Sequence, residues 1–203
     1  MNSTSISLLN RLQQTDDSKN WNRLVELYAP LLRLWLRKYD VQPSDADDLV
    51  QEVLLAVSKD LKSFDHSGRP GAFRSWLRTI LVHRLRNFWR AQRRRPQARG
   101  DSDLERRLDQ LEDPASEMSE IWNRQHDRHV ARQLLAASES SFEPSTWKAF
   151  CRVTLDGARP DVVAAELGIS LNAVFGAKSR VLRRLRQEVE GLVESSSSFL
   201  GKC

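Results

Sequence analysis

Apolar residues recur along this chain every three to four positions, and no stretch alternates apolar with polar as a half-buried strand does, so the pattern predicts an all-helical protein. Trp21, Leu24, Val25, Tyr28, Leu31, Leu32, Trp35 and Leu36 form the first stripe. Pro30 crosses it and predicts a kink or break, and the turn residues from Asp40 to Pro43 close it. A second helix is expected from Ser44, whose hydroxyl can cap it with Asp47 three positions on; its buried stripe is Ala46, Leu49, Val50, Val53, Val57 and Leu61. A third begins near Gly71 and runs through Phe73, Leu77, Leu81, Leu85 and Phe88 until Arg95 meets Pro96. From Pro96 to about Glu117 the rhythm fades. It returns at Ile121 and Trp122, continues through Val130, Leu134 and Leu135, and recurs from Trp147 to Leu155.

The last periodic section, from Pro160 onward, predicts a helix-turn-helix. Ala164 is small where two helices would cross, Gly168 permits a left-handed turn after the first helix, and Ser170 can cap the second. In that second helix Val174, Ala177, Val181 and Leu185 face inward. Asn172, Gly176, Ser179, Arg180, Arg183 and Arg186 face outward, with Phe175 at the margin. The chain thus divides into an N-terminal helix or extension (1–20), a helical domain (21–95), a connector (96–118), a second helical domain ending in the helix-turn-helix (119–193), and a serine-rich tail (194–203) expected to be disordered. Asp101, Asp103, Glu105, Asp109, Glu112, Asp113, Glu117 and Glu120 make the connector region acidic, and it is expected to be a flexible linker.

Charge distribution changes the picture more than overall composition does. At 203 residues, 40% apolar and 29% charged, the chain suffices for one ordinary domain or two small ones, and its net charge of +5 favours an anionic partner only modestly. Between Arg69 and Arg99, however, stand ten arginines and no acid, with Phe73, Trp76, Phe88 and Trp89 among them. Guanidinium groups neutralise phosphates and exposed aromatic rings stack on unpaired bases, so this segment has the makings of a melted-DNA surface. Just upstream runs the acidic stretch DADDLVQEV, which would repel DNA and suits a protein partner. Cys151 and Cys203 form no CxxC pair, the start MNSTSISLLNRLQQ lacks the basic flank and apolar core of a secretion signal, and no stretch approaches the roughly 20 apolar residues that span a bilayer. A soluble, cytoplasmic protein without membrane association is expected.

On a helical wheel Asp45, Asp48, Glu52 and Leu55 lie opposite the buried stripe, with Gln51 at the edge, and an apolar Leu55 on an acidic face marks a docking surface. In the third helix Trp76, His83, Asn87 and Arg90 fall within about 60° of one another. Asparagine can read a base edge, tryptophan can stack, and the flanking Arg86 and Arg93 can reach phosphates. Arg74, Arg78 and Arg84 lie elsewhere around the helix, as backbone clamps or partners within the protein. The loop from Phe64 to Gly71, with Gly68 and Pro70, has room for a base-accepting pocket. The outward face of the last helix, capped by Ser170, suits a major groove.

Catalysis and metal binding find no support in these patterns: Asp47 points away from Asp45 and Asp48, His126 and His129 are two potential ligands without a third, and no nucleophile-base pair or phosphate-cradling glycine loop occurs. A non-enzyme without metal or cofactor is expected.

Together these segments resemble the sigma-70 family of bacterial RNA polymerase initiation factors, specifically the small two-domain extracytoplasmic-function group, over almost the whole chain. The resemblance implies that DADDLVQEV, through Asp48, Gln51 and Glu52, binds core RNA polymerase, and Asp45 and Leu55 of the same helix face are expected to join that docking surface. It implies that GAFRSWLRTILVHRLRNFWRAQRRR, through Phe64, Trp76, His83, Arg86, Asn87, Arg90 and Arg93, reads the melted −10 element of promoter DNA. It assigns −35 reading to Ser170, Asn172, Phe175, Gly176, Ser179, Arg180 and Arg183. His83 stands where that family commonly has asparagine, and Asn87 where many members have aspartate. An anti-sigma factor is a possible further partner. The alternative reading is a conventional helix-turn-helix regulator that binds DNA without being a polymerase subunit.

Overall fold

The structure is a computed structural model that describes residues 8–14, 17–65, 71–93 and 102–189, with the side chains of Arg93 and Val189 outside the description. The fold is all-α. The described residues form α1 (Leu8–Gln14), α2 (Ser18–Lys38), α3 (Pro43–Asp60), α4 (Ala72–Arg93), α5 (Ser102–Glu112), α6 (Glu117–Ser138), α7 (Pro144–Thr154), α8 (Pro160–Leu167) and α9 (Leu171–Val189). Short 3-10 turns follow α3 at Leu61–Ser63 and α6 at Glu139–Ser141.

Two helix boundaries differ from the sequence expectation. Pro30 neither kinks nor breaks α2, which is continuous across it. The ring sits on the exposed side beside Glu26, so the carbonyl one turn back that loses its amide partner faces water. The start of α3 is Pro43 rather than Ser44, with no side-chain cap; a proline in the first turn lacks an N–H that would have been orphaned anyway, and its φ is already helical.

The larger correction concerns the connector. Where a flexible linker was expected, α5 packs against α4 and α6, burying Leu104, Leu108 and Leu111. These three recur at helical spacing and remove about 2 kcal/mol of apolar surface each from water. Arg107 clamps the other side: it pairs with Asp40 at 3.0 Å, donates to the Lys38 carbonyl at the end of α2, and lies over the Tyr39 ring at 5.0 Å. Asp40 adopts φ 59°, which turns the chain from α2 toward α3 and presents its carboxylate to Arg107.

One apolar core runs through α1 to α6 and takes in Phe150 of α7 and Val181 and Leu185 of α9. A second, smaller cluster of Ala149, Val163, Val174 and Ala177 holds α7, α8 and α9 together. The two halves of the chain therefore share packing. Glu188, almost fully buried at the end of α9, is met by Arg11 of α1 at 3.3 Å, Arg23 of α2 at 3.4 Å and Arg184 at 3.1 Å.

A buried polar network joins α2, α4 and α6. Tyr28 Oη lies 3.1 Å from His126 Nε2, His126 Nδ1 lies 3.0 Å from Asp127 Oδ1, and Arg74 donates to Asp127 Oδ2 at 2.7 Å. Because a carboxylate only accepts, His126 carries its proton on Nδ1 and its Nε2 accepts from the tyrosine. Burial lowers the His126 pKa despite Asp127, with Arg74 and His129 adding to the depression, so the ring is neutral. Burial likewise raises the Tyr28 pKa well above its ordinary value, keeping the phenol protonated. His129 is also used structurally, 2.6 Å from the Leu27 carbonyl.

Candidate nucleic-acid interface

Three surfaces emerge from the residues singled out above. On α3 the expected stripe is buried, and Leu54 and Ala56 join it. Asp48, Gln51 and Glu52 are exposed on the opposite side, Asp45 is half-buried, and Leu55 is 58% exposed. Asp47 is spent on an ion pair with Arg33 of α2 at 2.6 Å, so it belongs to the scaffold.

The arginines of α4 divide into structural and surface groups. Arg74 and Arg78 are only 3% and 4% exposed. The Arg74 guanidinium folds back beneath Gly71, whose φ of 73° favours glycine, and a Cβ there would lie 2.9 Å from the guanidinium and have to displace it. Its backbone carbonyl also accepts from the Trp122 indole at 3.1 Å. Arg78 is held in its cationic form less firmly than usual by burial and by neighbouring Arg74. Arg84 is 3.9 Å from Glu52. Arg86 places its two terminal nitrogens on two carboxylates of α5, Glu112 at 2.5 Å and Asp109 at 2.6 Å. Burial opposes its charge, but these two acids outweigh burial and raise its pKa.

The aromatics are likewise mostly engaged. Phe73 is fully buried and unavailable to bases, because it lies on the inward stripe of α4. Trp76 is half-buried and stacks on Phe64 at 4.5 Å, and Phe88 and Trp89 pack edge to face at 5.0 Å against the core. What remains outward on α4 is His83, Asn87 and Arg90, all exposed. Between α3 and α4 opens a cavity of about 340 Å³ lined by Trp76, Thr79, Ile80, His83, Arg84 and Asn87 among others. The structure thus brings Trp76, His83 and Asn87 to one concavity and puts Arg86 on its α5 side. The expected pocket in the preceding loop falls on residues 66–70, outside the described residues, as does the Arg93 side chain.

On α8 and α9 the local geometry follows the residues. Gly168 adopts φ 63° and closes α8, and the Ser170 hydroxyl accepts from the Ala173 amide at 3.1 Å. Val174, Ala177, Val181 and Leu185 are buried. Asn172, Ser179, Arg180 and Arg183 are exposed, Gly176 is half-exposed with nothing within 4 Å of a built Cβ, and Phe175 is 50% exposed. Arg180 and Arg183 line a groove of about 470 Å³ with Arg184, Gln187, Ser141 and Phe142. Arg180 also reaches the Thr146 hydroxyl at 3.4 Å.

Sequence reasoning missed Asp109 and Glu112 as partners of Arg86. The signal was Leu104, Leu108 and Leu111, spaced as a helical stripe inside the acidic connector, which puts both acids on a helix with a face to bury. Among the described residues no group of acids, histidines and cysteines could hold a metal ion, and no helix is long and apolar enough to cross a membrane.

Comparison with known proteins agrees with this layout. Residues 24–95, from the second turn of α2 through α4, match the family model of sigma-70 region 2. The chain is 36% identical over 93 residues to the ECF RNA polymerase sigma-E factor of Haemophilus influenzae, an alignment covering 46% of this chain and 47% of that protein. It is 27% identical over 187 residues to the protein of the same name from Escherichia coli K12, covering 92% of this chain and 93% of that one, and equally so to that of Salmonella typhimurium LT2. The region 2 match and the likeness to these two groups of sigma-E factors, one of them extending over 92% of the chain, support an extracytoplasmic-function factor of the sigma-70 family, a factor that directs RNA polymerase to promoters.

Proposed function

We propose that the three surfaces divide the work of initiation. The outer face of α3, through Asp45, Asp48, Gln51, Glu52 and Leu55, docks on core RNA polymerase. An apolar side chain ringed by acids fits a protein surface that carries basic groups around an apolar pocket. The concavity of α4 takes the melted −10 strand: Asn87 hydrogen-bonds a base edge, Trp76 backed by Phe64 offers a ring face, and His83, Arg86, Arg90 and Arg93 line its path. The α8–α9 pair reads the −35 duplex as a helix-turn-helix, with Ser170, Asn172, Phe175, Gly176 and Ser179 toward base edges and Arg180 and Arg183 on phosphates. The chain itself carries out no catalysis and needs no cofactor. It acts in the cytoplasm beside polymerase and DNA, and an anti-sigma protein would oppose it by covering these surfaces.

The observation that carries this reading is Leu55, exposed on the acidic outer face of α3 and next in sequence to Ala56, which lines the Asn87 concavity shared with α4. The test is co-elution of the purified chain with core polymerase. Replacing Asp48 and Glu52 together by Lys, both on the solvent side of α3, is expected to abolish co-elution while leaving helicity and melting temperature unchanged. Undiminished co-elution of that variant contradicts the assignment.

A further inference from the structure

We infer that α5 is an intramolecular occupant of the DNA surface of α4, with Asp109 and Glu112 holding Arg86 in place of strand phosphates. This rests on α4 being the −10 surface.

Four observations carry it. Arg86 is a fork filled twice over: each terminal nitrogen has its own carboxylate, at 2.5 and 2.6 Å, the bidentate arrangement a guanidinium also makes with phosphate oxygens. Glu112 is also 3.9 Å from His83 Nε2, so the same acid faces a second group of the concavity. Asn87, the next residue, is exposed, so the occupant takes the phosphate-binding position and leaves the base-reading one open. Finally, α5 is anchored independently of Arg86, by Leu104, Leu108 and Leu111 and by Arg107 on Asp40 and Lys38. The two acids are therefore not needed to hold the helix in place, and they lie on its wetter side, Asp109 70% and Glu112 40% exposed. The consequence is a free chain that engages unpaired DNA poorly until α5 releases Arg86.

The test measures binding of the full chain, without polymerase, to a fluorescent oligothymidylate by anisotropy across a salt series. Four proteins are compared: wild type, Asp109→Asn with Glu112→Gln, the same pair with Arg86→Ala, and a charge-matched control with Glu117→Gln and Glu120→Gln on α6. The amide pair is expected to bind about tenfold tighter than the control, as one strong charge-assisted contact gives. Its salt dependence should steepen by about 0.7, the single-strand value for one added phosphate contact. Both gains should vanish with Arg86→Ala. Binding no tighter than the control, no measurable binding by the amide pair, or a gain that survives Arg86→Ala overturns the inference. Co-elution with core polymerase, measured on the same four proteins, reports separately on the sigma-factor reading.

Discussion

The two arginine-bearing helices, α4 and α9, use the same side chain in opposite ways. On α4, Arg74 and Arg78 are buried, Arg84 faces Glu52 and Arg86 is held by two acids of α5. On α9, Arg180, Arg183 and Arg186 are exposed along one side, and Arg184 turns back to the buried Glu188. The lesson is that an arginine run measures potential cation density, and the acids brought in by tertiary packing decide how much of it faces solvent. The acid-free sequence around α4 concealed this because its partners, Asp109, Glu112 and Asp127, lie on α5 and α6.

The widest separation between the helices is expected in stability. Arg74→Ala leaves Asp127 facing the buried network without its cation and should cost about 3 kcal/mol, lowering the melting temperature by roughly 6–12 °C. Arg183→Ala, on the exposed side of α9, should stay within about 0.5 kcal/mol in a urea titration. Equal losses at the two positions would erase the distinction.

Next in size is base reading. Asn87→Ala should remove about 1–3 kcal/mol of discrimination among −10 variants in run-off transcription, if both amide groups bond one base. A −10 preference unaltered by the substitution removes Asn87 from the readers.

A smaller effect is expected on α9. Phe175 is half-exposed on a helix whose inward positions are already filled, and an apolar ring there suits a thymine methyl. Replacing a −35 thymine by deoxyuridine deletes only that methyl and should weaken the wild-type holoenzyme about fourfold at one position. In Phe175→Ala the thymine and deoxyuridine promoters should be equivalent. Sensitivity that persists without the ring points to another residue.

The mildest expected effect is on pH dependence. His126 is neutral when folded because burial depresses its pKa below the ordinary 6.5. The unfolded chain therefore takes up a proton that the folded chain refuses, and stability should fall as pH drops from about 7 toward 5. Replacing His126 by Gln should flatten that part of the melting-temperature profile. A profile unchanged by the replacement would mean that the slope arises elsewhere.

Much of the architecture was legible in one sequence because helical periodicity reports burial directly. The stripes of α3 and α9 are buried as read, and Gly168 and Ser170 perform the turn and cap their chemistry dictates. The exposed face of α3 was legible for the same reason, as the complement of its stripe. Two kinds of feature were not. Pro30 reads locally as a helix breaker, yet its exposed setting lets water satisfy the freed carbonyl. The connector reads as a linker because acids outnumber its three leucines, and only the cleft between α4 and α6 makes those leucines a face. The candidate site inherits that limit. His83 and Asn87 were identifiable as outward residues, whereas the engagement of Arg86 depends on how the next helix, α5, packs back against α4.

The central claim is that promoter recognition belongs to the complex with polymerase. A gel shift on a promoter fragment recovered by run-off transcription, with the chain alone, core polymerase alone and both together, tests it most directly. A specific shift only with both together is the predicted result; a specific shift of equal affinity by the chain alone would contradict it and favour a conventional DNA-binding regulator.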